Sequence, residues 1–146
     1  MTANPVLWNL DARGVATVTL NRPEVNNAYD AGLINGVLAA MEDLGSKPNL
    51  RVVVLKGNGK HFQAGADLKW INGVRPKSAA DNEAVSRATF EAVQRLNTLP
   101  IPTVALVQVP QRYHNVDSLQ HRINWKIRRM YGEQDVFFNL VCAGKD

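Results

Sequence analysis

Apolar and polar positions alternate twice near the start of the chain, then change period. Val6 to Leu10 alternates, Asp11 to Gly14 reads as a turn, and Val15 to Leu20 alternates again, which predicts a β-hairpin. Asn21-Arg22-Pro23 ends the second strand, because proline has no N–H to give a ladder. Beyond it Leu33, Ile34, Val37, Leu38, Met41 and Leu44 recur at helical spacing on one face. They predict a helix of about four turns with Gly45 as its C-cap.

The stretch "RVVVLKG" follows a different rule. Val52 to Leu55 is continuously apolar, which predicts a strand buried on both faces of a parallel sheet. Gly57, Gly59 and Lys60 form the next loop. A second long helix is predicted from Ala79 to Leu96, with Val85, Ala88, Ala92, Val93 and Leu96 on its inner side, and "LPIP" stops it. "TVALVQV" reads as a third apolar strand of the same buried kind. Strand, helix, strand, helix, strand argues an α/β fold.

After Val109 the grammar changes. Glycine is absent from Val74 to Tyr131, "SLQHRINWKIRRMY" reads as a helix, and "DVFFNLV" reads as a short strand. In that helix Leu119, Ile123, Ile127 and Met130 share one face, while Arg122, Lys126 and Arg129 lie elsewhere. No internal repeat or low-complexity run interrupts the chain.

Composition narrows the class. A chain of 146 residues suits one domain, and 45% hydrophobic with 21% charged residues excludes disorder as the main state. The net charge of +4 leans toward the tail, but too mildly to argue for nucleic acid as a partner. Cys142 is the single cysteine, so no internal disulfide forms and a reducing compartment is expected. "MTANPVLWNLD" has no basic n-region and no apolar h-region, and no apolar run approaches the ~20 residues of a membrane span. A cytoplasmic protein with no membrane span is the resulting expectation.

The chemistry centres on "HFQAGADLKW". A turn after a strand leaves backbone N–H groups without ladder partners, and a helix starting there points them outward together. Gly65 permits an unusual backbone angle, Ala64 and Ala66 keep the approach to the main chain open, and Asp67 caps the new helix. Such a turn can polarise a carbonyl. A plain tight turn packed on the sheet is the alternative, and "AGAD" alone is a weak signal.

Three motifs in order change the weighing. "NRPEVNNAYD" before a helix, then "RVVVLKGNGKHFQAGADLKW", then "LPIPTVALV" resemble the crotonase superfamily, also called the enoyl-CoA hydratase/isomerase family, from Val6 to Gln108. The Trp70 after "GADLK" looks like branched-chain members such as methylglutaconyl-CoA hydratases. The resemblance implies a crotonase-like spiral of ββα units, trimers or hexamers, and an acyl-CoA thioester substrate. Coenzyme A is then part of the substrate and no separate cofactor is implied. It implies that two backbone N–H groups hold the thioester oxygen and stabilise an enolate, the first being that of Ala66. Ala64 would touch the pantetheine and adenine side, Gly65 would shape the turn, and Asp67 and Leu68 would line the site. Glu24 and Val25 fall where members contact the CoA nucleotide, and Asn27 and Ala28 match a structural Asn-Ala at the following helix start.

In the family the strand matching "TVALVQ" runs into a glycine-rich loop that supplies the second N–H donor, and hydratases add two catalytic glutamates. Here "VPQRYHNVDSLQ" stands in that place, with no glycine. Asp117, Glu133, Asp135 and Asp146 are the only later carboxylates, and their spacing does not match the family pattern. The expected architecture is therefore residues 1–108 as the N-terminal portion of a crotonase-like domain, a truncated spiral, with residues 109–146 as an unrelated C-terminal tail. The expected function is an enoyl-CoA hydratase/isomerase-type protein that is incomplete and inactive. The alternative is a non-catalytic acyl-CoA-binding protein, or a partner-binding one led by the basic amphipathic tail.

Other residues carry less. His61 reads as a surface or edge histidine, and His114 and His121 lack a third metal ligand at suitable spacing. Lys56 and Lys60 read equally as phosphate contacts or solvated loop lysines. Trp70 suits an acyl-pocket wall or the core, and Cys142 has no nearby His or basic cluster that would mark it as a reactive thiolate.

Overall fold

The computed structural model describes residues 4–107 and the two-residue strand Leu140–Val141. Strands β1 (Val6–Leu10) and β2 (Val15–Leu20) form the expected antiparallel hairpin, with Val6 opposite Leu20 and Leu10 opposite Ala16. Asp11 makes its turn: one carboxylate oxygen accepts from the Arg13 and Val15 amides at 2.9 and 3.0 Å. Strands β3 (Val52–Gly57) and β4 (Thr103–Leu106) follow in parallel, and β5 (Leu140–Val141) pairs with Leu106 and Ala105 at the far edge. Sheet order equals chain order, β1 to β5. β5 falls within the stretch that the sequence marked as a short strand.

Helix α1 (Ala31–Gly45) lies between β2 and β3 in the chain and packs on the sheet. Its Leu33, Ile34, Val37, Met41 and Leu44 are buried as the periodicity requires, and Ala40 joins them. With Ala16, Val18, Leu20 and Val53 they form the core, in which each fully buried leucine or valine contributes about 1.5–3 kcal/mol. Gly45 is not the C-cap. It is the last helical residue, and Ser46 caps the end in an ordinary right-handed conformation.

Helices α2 (Leu68–Val74) and α3 (Ala79–Asn97) connect β3 to β4. Helix α3 packs beside α1, and Ala92 is its one buried residue. Val93, expected on the inner side, is 62% exposed, as is Phe90. Ala88, Ala92 and Leu96, spaced four apart, form one stripe against the core, and a residue one step on from Ala92 rotates by about 100°, out of that stripe.

The central strands are not buried on both faces among the described residues. Val53 is fully buried, but Val52, Val54 and Leu55 are half-buried, and in β4 Val104, Ala105 and Leu106 are half-buried too. Helices α1 and α3 cover the face that carries Ala16, Val18 and Val53. The all-apolar sequence of β3 thus exceeds what these helices cover.

Candidate functional site

Two connections, each leaving the carboxyl end of a parallel strand, meet to form the site. The first runs from Asn21 to Asp30. Pro23–Val25 is a short 3-10 turn, which the sequence pattern did not mark, and Asn26 and Asn27 follow with φ of 55° and 56°. Asparagine tolerates this left-handed region better than most side chains. Asn27 and Ala28 precede helix α1 and do not begin it; Asp30 is the cap, accepting from the Leu33 amide at 2.9 Å.

Asn27 is fully buried and its side chain is used throughout. Its carbonyl oxygen accepts from the Arg22 amide at 2.8 Å. Its NH₂ donates to the carbonyls of Asn58 and His61 at 2.9 and 2.7 Å. Gly57 leaves room for this staple: a Cβ there would lie 2.6 Å from two carbonyl oxygens and 2.8 Å from the Asn27 amide nitrogen. The first connection is thereby pinned to the second.

The second connection runs from Asn58 to Asp67 and carries the predicted turn. The Tyr29 amide donates to the Gly65 carbonyl at 2.9 Å, and the Asp67 amide donates to the Tyr29 carbonyl at 2.9 Å. This is a one-residue parallel bridge between Tyr29 and Ala66. In a parallel bridge the central residue turns its own N–H and C=O away from its partner. The Gly65 amide is taken by the Gln63 side chain at 2.7 Å. The Ala66 amide, lying between two engaged neighbours, has no hydrogen-bond partner among the described residues, and neither has that of Ala64. Ala66 is half-buried and Ala64 exposed.

Gly65 has φ of +93°, and nothing lies within 4 Å of where its Cβ would be. The backbone angle alone therefore calls for glycine here, not crowding. Asp67 caps α2 as anticipated, with one oxygen accepting from the Lys69 and Trp70 amides at 3.0 and 3.2 Å. Its other oxygen meets Arg22 at 3.0 Å. The Trp70 amide first, then the Arg22 side chain and the Lys69 amide, hold the Asp67 carboxyl below its ordinary value, against an opposing effect of burial.

The turn thus brings Ala64, Gly65, Ala66, Asp67 and Leu68 together, with Leu68 75% exposed. Glu24 is exposed and Val25 half-buried on the neighbouring connection; neither makes a hydrogen bond through its side chain to the Ala66 turn. Trp70 is half-buried against the core and meets Tyr29 edge-on, with ring centroids 6.0 Å apart. His61, Lys56 and Lys60 are exposed. Among the described residues no group of three metal-ligating side chains occurs, and no helix is long and apolar enough to cross a membrane. The predicted tail helix, His114, His121, Cys142 and the four tail carboxylates lie outside the described residues.

Sequence reasoning missed Arg22, Tyr29 and Gln63. Arg22 was visible only as part of a strand terminator. Its signal would have been the two later aspartates at helix starts, Asp30 and Asp67, which share one cation.

Comparison with known proteins gives a consistent answer. The family model described as Enoyl-CoA hydratase/isomerase matches residues 11–109. A Thermus thermophilus protein with a provisional enoyl-CoA hydratase name is 41% identical over 96 residues, which is 66% of this chain and 38% of that protein. A trans-2-decenoyl-[acyl-carrier-protein] isomerase of Streptococcus mutans is 33% identical over 108 residues, 71% of this chain and 40% of its own length. The crystal structure of an enoyl-CoA hydratase/isomerase from Xanthobacter autotrophicus superposes with a TM-score of 0.68 at 34% identity, over 75% of this chain and 40% of that one. The chain spans about two fifths of the length of the relatives it matches.

Proposed function

The chain belongs to the enoyl-CoA hydratase/isomerase family, and from that premise we propose that its Ala66 turn binds the thioester carbonyl of an acyl-CoA. The observation that carries this reading is the unpartnered Ala66 N–H, held between two bonds to Tyr29 and flanked by a side chain no larger than methyl. An N–H donor aimed at a developing enolate oxygen stabilises it without reorganising at the moment of reaction. Ala64 and Gly65 line the approach of the CoA chain, Glu24 and Val25 face its nucleotide end, and Asp67 and Leu68 border the acyl side. No cofactor beyond the substrate's own coenzyme A is needed.

Binding is the part of the reaction these residues support. Hydration also needs a base to activate water and an acid to protonate the α-carbon. The family match stops at residue 109, and the stretch after it has neither the glycine-rich loop nor the glutamates at family spacing. One absent oxyanion donor costs about 10²–10³ in rate, and an absent acid–base pair costs more. These residues therefore support acyl-CoA binding, and residues 109–146 offer no groups at family spacing for hydratase turnover.

Calorimetry with crotonyl-CoA and with free CoA tests the binding, and loss of enoyl-thioester absorbance tests turnover. Binding is expected to favour crotonyl-CoA, and Ala66→Val is expected to reduce that preference by about two- to tenfold by screening one carbonyl hydrogen bond. Equal affinity for both ligands would refute the site. Turnover well above the uncatalysed rate would refute the inactive reading and show that residues after 109 supply the missing groups.

A further inference from the structure

Arg22 has no part in the chemistry just described, yet it is tied at both ends. Its own amide donates to the buried Asn27 side chain at 2.8 Å. Its guanidinium donates to the Ala28 carbonyl at 2.6 Å and pairs with Asp30 and Asp67, each at 3.0 Å. The Arg22 side chain is only 17% exposed and that of Asp67 15%. Asp30 and Asp67 are the N-caps of α1 and α2, so one cation joins the starts of two helices.

We infer that Arg22 is a positioning residue for the Ala66 amide, fixing through Asp67 the turn on which that amide sits. The route is short. Asp67 immediately follows Ala66, and its amide is one of the two bonds of the Tyr29 bridge. Its two carboxylate oxygens are divided, one for the α2 amides and one for Arg22. Arg22 therefore sets the rotation of Asp67, whose amide holds one end of the Tyr29 bridge, and the Gly65 carbonyl at the other end shares one planar trans peptide with the Ala66 N–H and so sets its direction. Only a planar fork meets acceptors on both sides at once, and a lysine ammonium cannot reproduce it. Donors at a reacting centre need such support, because about 0.5 Å of looseness already degrades them.

The inference rests on the acyl-CoA reading for its purpose, but its physical content is testable without a ligand. Amide hydrogen exchange on the full chain compares wild type with Arg22→Gln. We expect exchange at the Tyr29 and Asp67 amides, which form the bridge, to accelerate about tenfold or more, while Val18 and Leu44 in the core stay within about twofold. Asp67→Asn keeps an oxygen for the α2 cap but loses the charge, and it should loosen the same two amides; it decides the matter if Arg22→Gln does not fold. Arg22→Lys should recover the wild-type rates only in part. In binding, Arg22→Gln should narrow the preference for crotonyl-CoA over S-butyl-CoA, a thioether without the carbonyl, and leave S-butyl-CoA affinity unchanged. Unaltered exchange at Tyr29 and Asp67, or equal acceleration throughout the core, would overturn the inference. A wild-type chain with no preference for the carbonyl ligand would instead defeat the acyl-CoA reading, and the exchange data would still show whether Arg22 holds the turn.

Discussion

The two connections that leave β2 and β3 begin alike and end in opposite states. Both follow a parallel strand, both bend through a left-handed residue, and both deliver an aspartate that caps a helix. In the first, the amides of Asn21, Arg22 and Val25 to Tyr29 all find acceptors. In the second, the amides from Lys60 to Ala64 and that of Ala66 have none among the described residues. Lys60, His61 and Ala64 are exposed, so water can serve their amides, whereas Ala66 is half-buried, where an unmade bond begins to cost. The first connection serves as a frame. The second keeps its donors available, and it can do so because the first one grips it at Asn27, Tyr29 and Arg22.

The comparison predicts unequal responses to substitution. The largest effect is expected at Asn27→Ala. It strips partners from the Arg22 amide and from the Asn58 and His61 carbonyls, and places alanine at φ of 56°. Denaturant unfolding should show a loss of about 3–4 kcal/mol. A loss under about 1 kcal/mol would mean that the first connection is not the frame.

Gly65→Ala should cost less, about 1–2 kcal/mol, since only the backbone angle objects and the space is open. The same unfolding series measures it, and a value as large as that of Asn27→Ala would erase the contrast between the turns.

The smallest effect is electrostatic. The folded Asp67 carboxyl lies below its ordinary value of 3.8, chiefly through the Trp70 amide and then Arg22. A depressed folded value gives stability that is present in full above the unfolded value and is lost as pH falls through the folded one. The stability difference between wild type and Asp67→Asn should hold steady from neutral pH to about 4 and shrink below it. Asp11 is lowered as well, chiefly by the Val15 amide, so Asp67→Asn keeps some acid sensitivity of its own, which cancels in the difference. A difference that instead grew on acidification would reverse the assigned sign.

Much of this was legible along the chain. The hairpin ends fall where alternation begins and stops, at Val6–Leu10 and Val15–Leu20, because one covered face imposes a period of two. The α1 stripe and the Asp67 cap were likewise readable, since local spacing and a short acceptor side chain determine them. Gly45 and Val93 were misjudged for the same reason. Pattern marks which residues suit a cap or a face, but it does not say where a neighbouring element stops covering the helix.

The site divides in the same way. Local chemistry in the sequence placed a glycine at a left-handed angle, small residues beside it and an acid at the next helix start. That the Ala66 amide stays open between two engaged neighbours was decided only in three dimensions. Tyr29 takes the bonds on either side of Ala66, and Arg22 spans from the end of β2 to Asp67, 45 residues further on. Hydrogen bonds saturate, so a donor is free only when every nearby acceptor is committed elsewhere, and that accounting spans connections far apart in the chain.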